Sequence, residues 1–156
     1  MDVESGEGHG HGGGSRQARE LSVSEMRDVL QTARWGVLAT AMDGEPYAVP
    51  VVFALDDDDL VLVSSPGRKV SALEANPRVC FTIPEVHDNG ARWRSVVAIG
   101  SAEFVEDALG RVRVLDALRK HQRGSLRPGA KDAARLLRAR FIRIRVESLT
   151  GRAVGF

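Results

Sequence analysis

"GVLATAMDGEPYAVPVVFAL", Gly36 to Leu55, decides the fold. Two runs of β-branched and small apolar residues flank Asp43-Gly44, a pair that accepts the positive φ of a tight turn, so the stretch predicts a β-hairpin. Upstream, "SVSEMRDVLQTAR" predicts a helix. Ser22 and Glu25 stand at capping-box spacing, Met26, Val29, Leu30 and Ala33 share one face, and Gly36 is read as the stop. Before it, the Gly-rich residues 1–20 lack the apolar content that offsets ordering entropy and are expected to be a disordered tail. His9 and His11 lie there without further ligands to fix a metal geometry. Residues 21–156 are read as one domain.

Downstream, Asp56 to Asp59 lack the spaced oxygens of a calcium loop and are expected to form a solvated hairpin tip leading into the buried run "LVLVSS". A short helix, "KVSALEAN", stops at Pro77, and the strand "RVCFTI" follows. A polar loop, "PEVHDNGA", leads to the long strand "RWRSVVAIGSAEFVE", in which Gly100 marks a bulge. "DALGRVRVLDALRKH" and "AKDAARLLRARF" predict two helices, separated by "QRGSLRPG". The last predicted strand alternates Ile142, Ile144 and Val146 with Arg143 and Arg145. About six strands joined mainly by hairpins, with helices at the periphery, predict an α+β domain built on a six-stranded antiparallel split β-barrel.

Composition bounds the function classes. With 156 residues, 43% of them hydrophobic and 28% charged, the chain can bury one sizeable core. Its apolar runs fall far short of the roughly 20 residues that cross a bilayer, and the polar N-terminus lacks a signal-peptide core. A cytoplasmic location without membrane association is therefore expected. The lone Cys80 excludes an internal disulfide and reads as a buried small hydrophobe. Charge is asymmetric: residues 1–110 carry 9 Lys/Arg against 18 Asp/Glu, whereas residues 111–145 carry 12 against 2. The arginines of the second segment are spread through apolar spacing. The expectation is a basic face packed on an acidic body, with nucleic-acid binding ranked last.

"SSPGRK", Ser64 to Lys69, carries the chemistry. Ser64 and Ser65 end a buried strand, Gly67 allows close backbone approach, and Arg68 and Lys69 stand at the first turn of a helix, where exposed N–H groups and the dipole favour an anion. The fork of Arg and the point charge of Lys suit a phosphate monoester. Ser, Pro and Gly are also ordinary turn residues, so these six positions taken alone leave both a turn and a phosphate seat open.

The ordered run from "RWGVLATAMDGEPYAVPVVFAL" through "GRKVSALEANPRVCFTI" to "WRSVVAIGSAEFVED" resembles the pyridoxamine 5'-phosphate oxidase-like, FMN-binding split-barrel family. Within it, the chain is most similar to the branch of nitroimidazole-resistance proteins; "ESLTGR" also resembles that branch's closing strand. The resemblance implies a homodimer with FMN at the subunit interface, F420 or haem being the alternatives. It implies that Arg68 and Lys69 hold the cofactor phosphate beside Ser64 and Ser65, and that Pro50, Val51, Val52 and Phe53 run under the isoalloxazine ring. Trp93, Arg94 and Ser95 would reach the cofactor from the partner; for Trp93, core or dimer packing stays an equal reading. The chain lacks the Arg-x-His pair with which the true oxidase binds its substrate, so vitamin B6 oxidation is not expected. It also has no histidine at the start of the phosphate loop. His87 and His121 have no nucleophile or metal-ligand partner at a recognisable spacing and are read as surface residues. The implied function is an FMN-dependent oxidoreductase passing electrons from a reduced nicotinamide to a small acceptor such as a nitroaromatic or quinone. A flavin- or haem-binding protein without turnover is the alternative.

Overall fold

The computed structural model describes residues 17–123 and 130–156. The elements in chain order are β1 (Arg19–Glu20), α1 (Val23–Thr32), β2 (Trp35–Met42), β3 (Glu45–Val52), β4 (Ala54–Asp56), β5 (Asp59–Ser64), α2 (Arg68–Ala75), β6 (Arg78–His87), β7 (Arg92–Phe104), α3 (Ala108–Gln122), α4 (Ala130–Arg138) and β8 (Arg140–Val154). The strands form one antiparallel sheet in the order β3-β2-β6-β7-β8-β5-β4, with β1 added to β8. The sheet is curled into a half-barrel, and the α+β split-barrel class expected from the sequence holds.

The expected second hairpin strand is broken at Phe53. It divides into β3 and β4, which lie at opposite ends of the sheet order although one residue separates them in the chain. Two sheet edges joined by one residue force the sheet to curl. Phe53 is fully buried at this corner, its ring edge-on to Phe81 at 5.1 Å, and burying such a side chain contributes roughly 1.5–3 kcal/mol. The split and β1 add two short strands to the expected six.

The buried side of the sheet, including Leu38, Val51, Leu60, Leu62, Phe81, Ile83, Val96, Ile142 and Ile144, forms the main core together with Met26, Val29 and Leu30 of α1. A second cluster packs Val114 and Leu118 of α3 against Ala54, Val61 and Phe141. The buried Gln122 locks the corner: its amide donates to the carbonyls of Phe53 at 2.9 Å and Arg34 at 2.8 Å.

Local signals hold where short-range geometry governs. Asp43 and Gly44 take positive φ (52° and 80°) in the β2–β3 turn. The capping box forms in both directions, Glu25 N donating to Ser22 Oγ and Ser22 N to the Glu25 carboxylate. The β7–β8 register shifts at Gly100, where an added Cβ would strike the Arg145 backbone.

Several boundaries require correction. The helix ends at Thr32; Gly36 lies inside β2, where an added Cβ would collide with the Phe81 ring, so its smallness serves packing. β6 runs on to His87 because its polar end pairs with β7 through His87↔Arg92. α4 ends at Arg138, and Arg140 and Phe141 already belong to β8. Most of the expected tail and the "QRGSLRPG" connection fall outside the described residues, but Arg19 and Glu20 pair with Ala153 and Arg152.

The acidic hairpin is more than a solvated tip. Asp57 and Asp58 are exposed, whereas Asp56 and Asp59 face the basic strand β8. Arg143 bridges Asp56 at 2.5 Å and Asp59 at 3.3 Å, Arg113 bridges Asp56 at 2.9 Å, and Arg145 bridges Asp59 at 2.8 Å. Burial alone would raise the Asp56 carboxyl, but the hydrogen bonds from Arg143 and Arg113 outweigh it and hold its pKa down. Much of the basic 111–145 segment is thus matched to the acidic body. Among the described residues, no helix is long and apolar enough to cross a membrane.

Candidate functional site

β5 carries the chain to Ser64, and α2 begins at Arg68 with Gly67 as an N-cap that supplies no side-chain hydrogen bond. The first-turn N–H groups of α2 therefore have no side-chain acceptor. Ser64 is buried, its hydroxyl donating to the Ser65 carbonyl at 2.9 Å, while Ser65 is exposed. Arg68 is exposed, with its guanidinium carbon 4.3 Å from the centre of the Tyr47 ring. A cation over an aromatic face gains about 0.5–1 kcal/mol at such a site and holds the guanidinium beside β3. Lys69 is half-buried, and burial lowers its ammonium pKa below the ordinary lysine value.

Many arginines of the described residues have carboxylate counterions, whereas Arg68 and Lys69, like Arg34, Arg111 and Arg152, do not. Arg19, Arg27, Arg78, Arg94, Arg113, Arg140, Arg143 and Arg145 each bridge a carboxylate. Two adjacent cations at an uncapped helix start, one of them partly desolvated, could hold an anion. A phosphate monoester fits this donor set in charge and in hydrogen-bonding capacity.

β3 lies alongside. It pairs only with β2 among the described residues, so half of its backbone polar groups face an open edge. Pro46 and Pro50 suit such an edge because they have no N–H to leave unpaired. Alternation turns Pro50 and Val52 outward and Val51 into the core. Phe53 has its ring in the core and its carbonyl bound by Gln122. The expected ring-contacting stretch therefore divides into an outward pair and an inward pair.

Trp93, Arg94 and Ser95 lie on β7, separated from β3 by β2 and β6. That is three strand spacings, roughly 14 Å along the sheet. Trp93 and Ser95 share one face and line a cavity of about 490 Å³ bounded also by Glu20, Leu21, Met26, Leu149, Thr150 and Arg152. Arg94 turns to the other face. It bridges Asp28 at 3.0 Å and makes a double contact with Glu85, whose hydrogen bond is the largest influence raising the Arg94 pKa. Within one chain the predicted residues thus form two groups, one around β3 and the 64–69 loop, the other on β7.

The two histidines among the described residues pack against aromatic rings. His121 Nε2 lies 2.6 Å from the Ala33 carbonyl and its ring packs on Phe53, so it is half-buried where a surface position was expected. His87 is exposed and lies edge-on to Phe156 at 5.5 Å. No cluster of His, Cys, Asp or Glu suited to a metal exists among the described residues. Sequence reasoning missed Tyr47 as the neighbour of Arg68 and Arg152 as part of the cavity. Each sits on a strand recognised from the sequence, but only strand pairing shows which face and which neighbours it has.

Comparison with known proteins places this geometry in context. A family model described as pyridoxamine 5'-phosphate oxidase matches residues 22–153. An uncharacterized protein of Rhizobium meliloti is 28% identical over 143 residues, spanning 86% of this chain and 94% of its own. The crystal structure of an FAD-binding protein from Mesorhizobium loti is 38% identical, with a TM-score of 0.71 over 88% of this chain and 99% of that one. A candidate 5-nitroimidazole antibiotic resistance protein from Bacteroides thetaiotaomicron, 24% identical, shares the fold with a TM-score of 0.75 over 88% of this chain and 87% of its own. Since the family model spans nearly the whole described fold, including both the 64–69 loop and the β7 segment, the chain belongs to the pyridoxamine 5'-phosphate oxidase family.

Proposed function

We propose that the protein is a homodimeric, flavin-dependent oxidoreductase that binds FMN or a flavin containing it, such as FAD. The observation that carries this reading is the pair Arg68 and Lys69, adjacent cations at the uncapped start of α2 that have no carboxylate partner among the described residues, whereas Arg113, Arg140 and Arg143 are ion-paired. FMN and FAD share the riboflavin 5'-phosphate, so this seat suits either. The 38%-identical Mesorhizobium loti protein, an FAD binder, supports the cofactor class.

A flavin bound here would supply the redox chemistry between a reduced nicotinamide and a small acceptor such as a nitroaromatic or quinone. This chain's own residues do the rest. Arg68 and Lys69 offset the phosphate charge, about −1.5 to −2 for the FMN monoester and roughly −1 for the same phosphate within FAD. Tyr47 orients Arg68, and Ser65 presents an exposed hydroxyl beside the seat, while Ser64 fixes the loop by donating its own to the Ser65 carbonyl. The outward faces of Pro50 and Val52 give apolar cover, and the open edge of β3 offers backbone groups to polar ring atoms. Trp93 and Ser95 lie too far along the sheet to join that group within one chain, which supports a site completed by the partner subunit. Trp35, Val52 and Ile99, each more than 40% exposed, share the outward sheet face and are the apolar surface a second copy would cover.

Purified protein titrated with FMN and separately with FAD is expected to acquire the yellow flavin spectrum with at least one of them, and anaerobic NADH or NADPH is expected to bleach it. Protein that stays colourless with excess of both sinks the flavin reading, and the absorbance of the isolated protein reveals F420 or haem directly. Flavin that binds but is not reduced by either nicotinamide refutes the oxidoreductase and leaves a flavin-binding protein.

A further inference from the structure

We propose that the cavity between β1, β7 and β8 binds a small aromatic carboxylate, with Arg152 as its anion anchor. Strand register carries the argument. Arg152 stands directly opposite Ser95 on β7 and Glu20 on β1, and Thr150 stands opposite Val97. Directly paired residues share a face, so one row of Glu20, Arg152 and Ser95 borders the cavity, with Thr150 one step away. Arg152 is exposed and, among the described residues, has no ion pair, although the Glu20 carboxylate is its cross-strand neighbour. A planar guanidinium left open at a cavity wall matches a carboxylate through two parallel hydrogen bonds. The hydroxyls of Ser95 and Thr150 can supplement them.

The remaining wall sets the ligand's body. On the face of that row Trp93 is aromatic and Val97 apolar, so the cavity suits a flat hydrocarbon ring. Its volume of about 490 Å³ lies within the range of small-molecule sites. The inference rests on the proposed function in one respect: Trp93 and Ser95 are also the residues assigned to the flavin of the partner subunit, so a ligand held here is the small acceptor of that reaction. Glu20 disfavours a second negative charge, which limits the ligand to a single anionic group.

The test is calorimetric titration of the flavin-loaded protein with 4-nitrobenzoate, using neutral 4-nitrotoluene as the matched control. Nitrobenzoate is expected to bind at least tenfold more tightly than nitrotoluene. Arg152→Gln should remove that difference while leaving the flavin spectrum unchanged, Arg152→Lys should retain part of it, and Glu20→Gln should tighten nitrobenzoate two- to fivefold. Equal binding of the two compounds, or an unchanged nitrobenzoate affinity in Arg152→Gln, overturns the proposal. So does release of flavin by Arg152→Gln, since the cavity then belongs to the flavin's own seat. If the protein takes up no flavin, the same titration on the flavin-free protein separates the two readings: Arg152-dependent binding upholds this one while the flavin reading falls, and its absence overturns both.

Discussion

Two charged turns, one at each end of β5, look alike in sequence and behave differently in the fold. The Asp56–Asp59 hairpin is dense in carboxylates, and its inner pair, Asp56 and Asp59, is bound by Arg113, Arg143 and Arg145. The Ser64–Lys69 loop holds two cations that have no carboxylate partner among the described residues. Charge that the fold matches is architecture, and charge that it leaves open is available to a ligand. The hairpin residues Asp56 and Asp59 and their partner Arg143 have side chains only 13%, 17% and 12% exposed, so their pairing is largely withdrawn from water.

The comparison breaks most visibly at Arg143. Arg143→Ala would leave two half-buried carboxylates facing each other and is expected to destabilise the protein by about 3 kcal/mol in chemical denaturation. Flavin affinity should not change in the fraction that remains folded. A matching loss of flavin affinity would show that the two turns are one unit.

Lowering the pH probes the same cluster more gently. The Asp56 pKa is depressed in the fold, so the folded state binds fewer protons than the unfolded chain in that window. Its stabilising contribution is complete above the ordinary aspartate value of 3.8 and is lost as pH falls below it. Glu25, held at about 2 chiefly by its hydrogen bond from Arg19, acts in the same direction. Denaturation midpoints measured from pH 6 down to pH 2.5 should therefore fall with pH in the wild type, and fall less in Asp56→Asn.

Lys69→Ala reverses the pattern. It should weaken flavin binding about tenfold, the loss of one charge-assisted contact worth roughly 1.4 kcal/mol. Stability should stay within about 0.5 kcal/mol of wild type, because removing a half-buried cation without a partner also removes its desolvation cost. Strong destabilisation with unchanged flavin affinity would make Lys69 architectural as well. The smallest effect is expected at Tyr47→Leu, which removes the face under Arg68. A loss of flavin affinity of about two- to fivefold corresponds to an exposed cation–π contact, and fluorescence titration against the wild type reads it.

Much of the fold was legible because its signals are local. Asp43-Gly44 specifies a tight turn, Ser22 and Glu25 close a capping box across three residues, and Gly100 marks the register shift. The candidate site was half legible. "SSPGRK" offers the residue types of an anion seat, but the same six residues would also serve as an ordinary turn. The break at Phe53 was not legible, since "PYAVPVVFAL" is one continuous apolar run and nothing local distinguishes a strand that continues from one that turns the corner of a barrel.

By itself the sequence determined most of the strands and helices, the tight turn and the positions where phosphate-binding chemistry could sit, because backbone propensity, side-chain alternation and turn residues act over a few positions. Tertiary structure alone decided which charges are matched. Asp56 meets Arg113 and Arg143 across 57 and 87 residues of chain, and Arg152 comes level with Ser95 through strand register. Electrostatic pairing acts through space at a few ångströms, and only the curled sheet sets those distances.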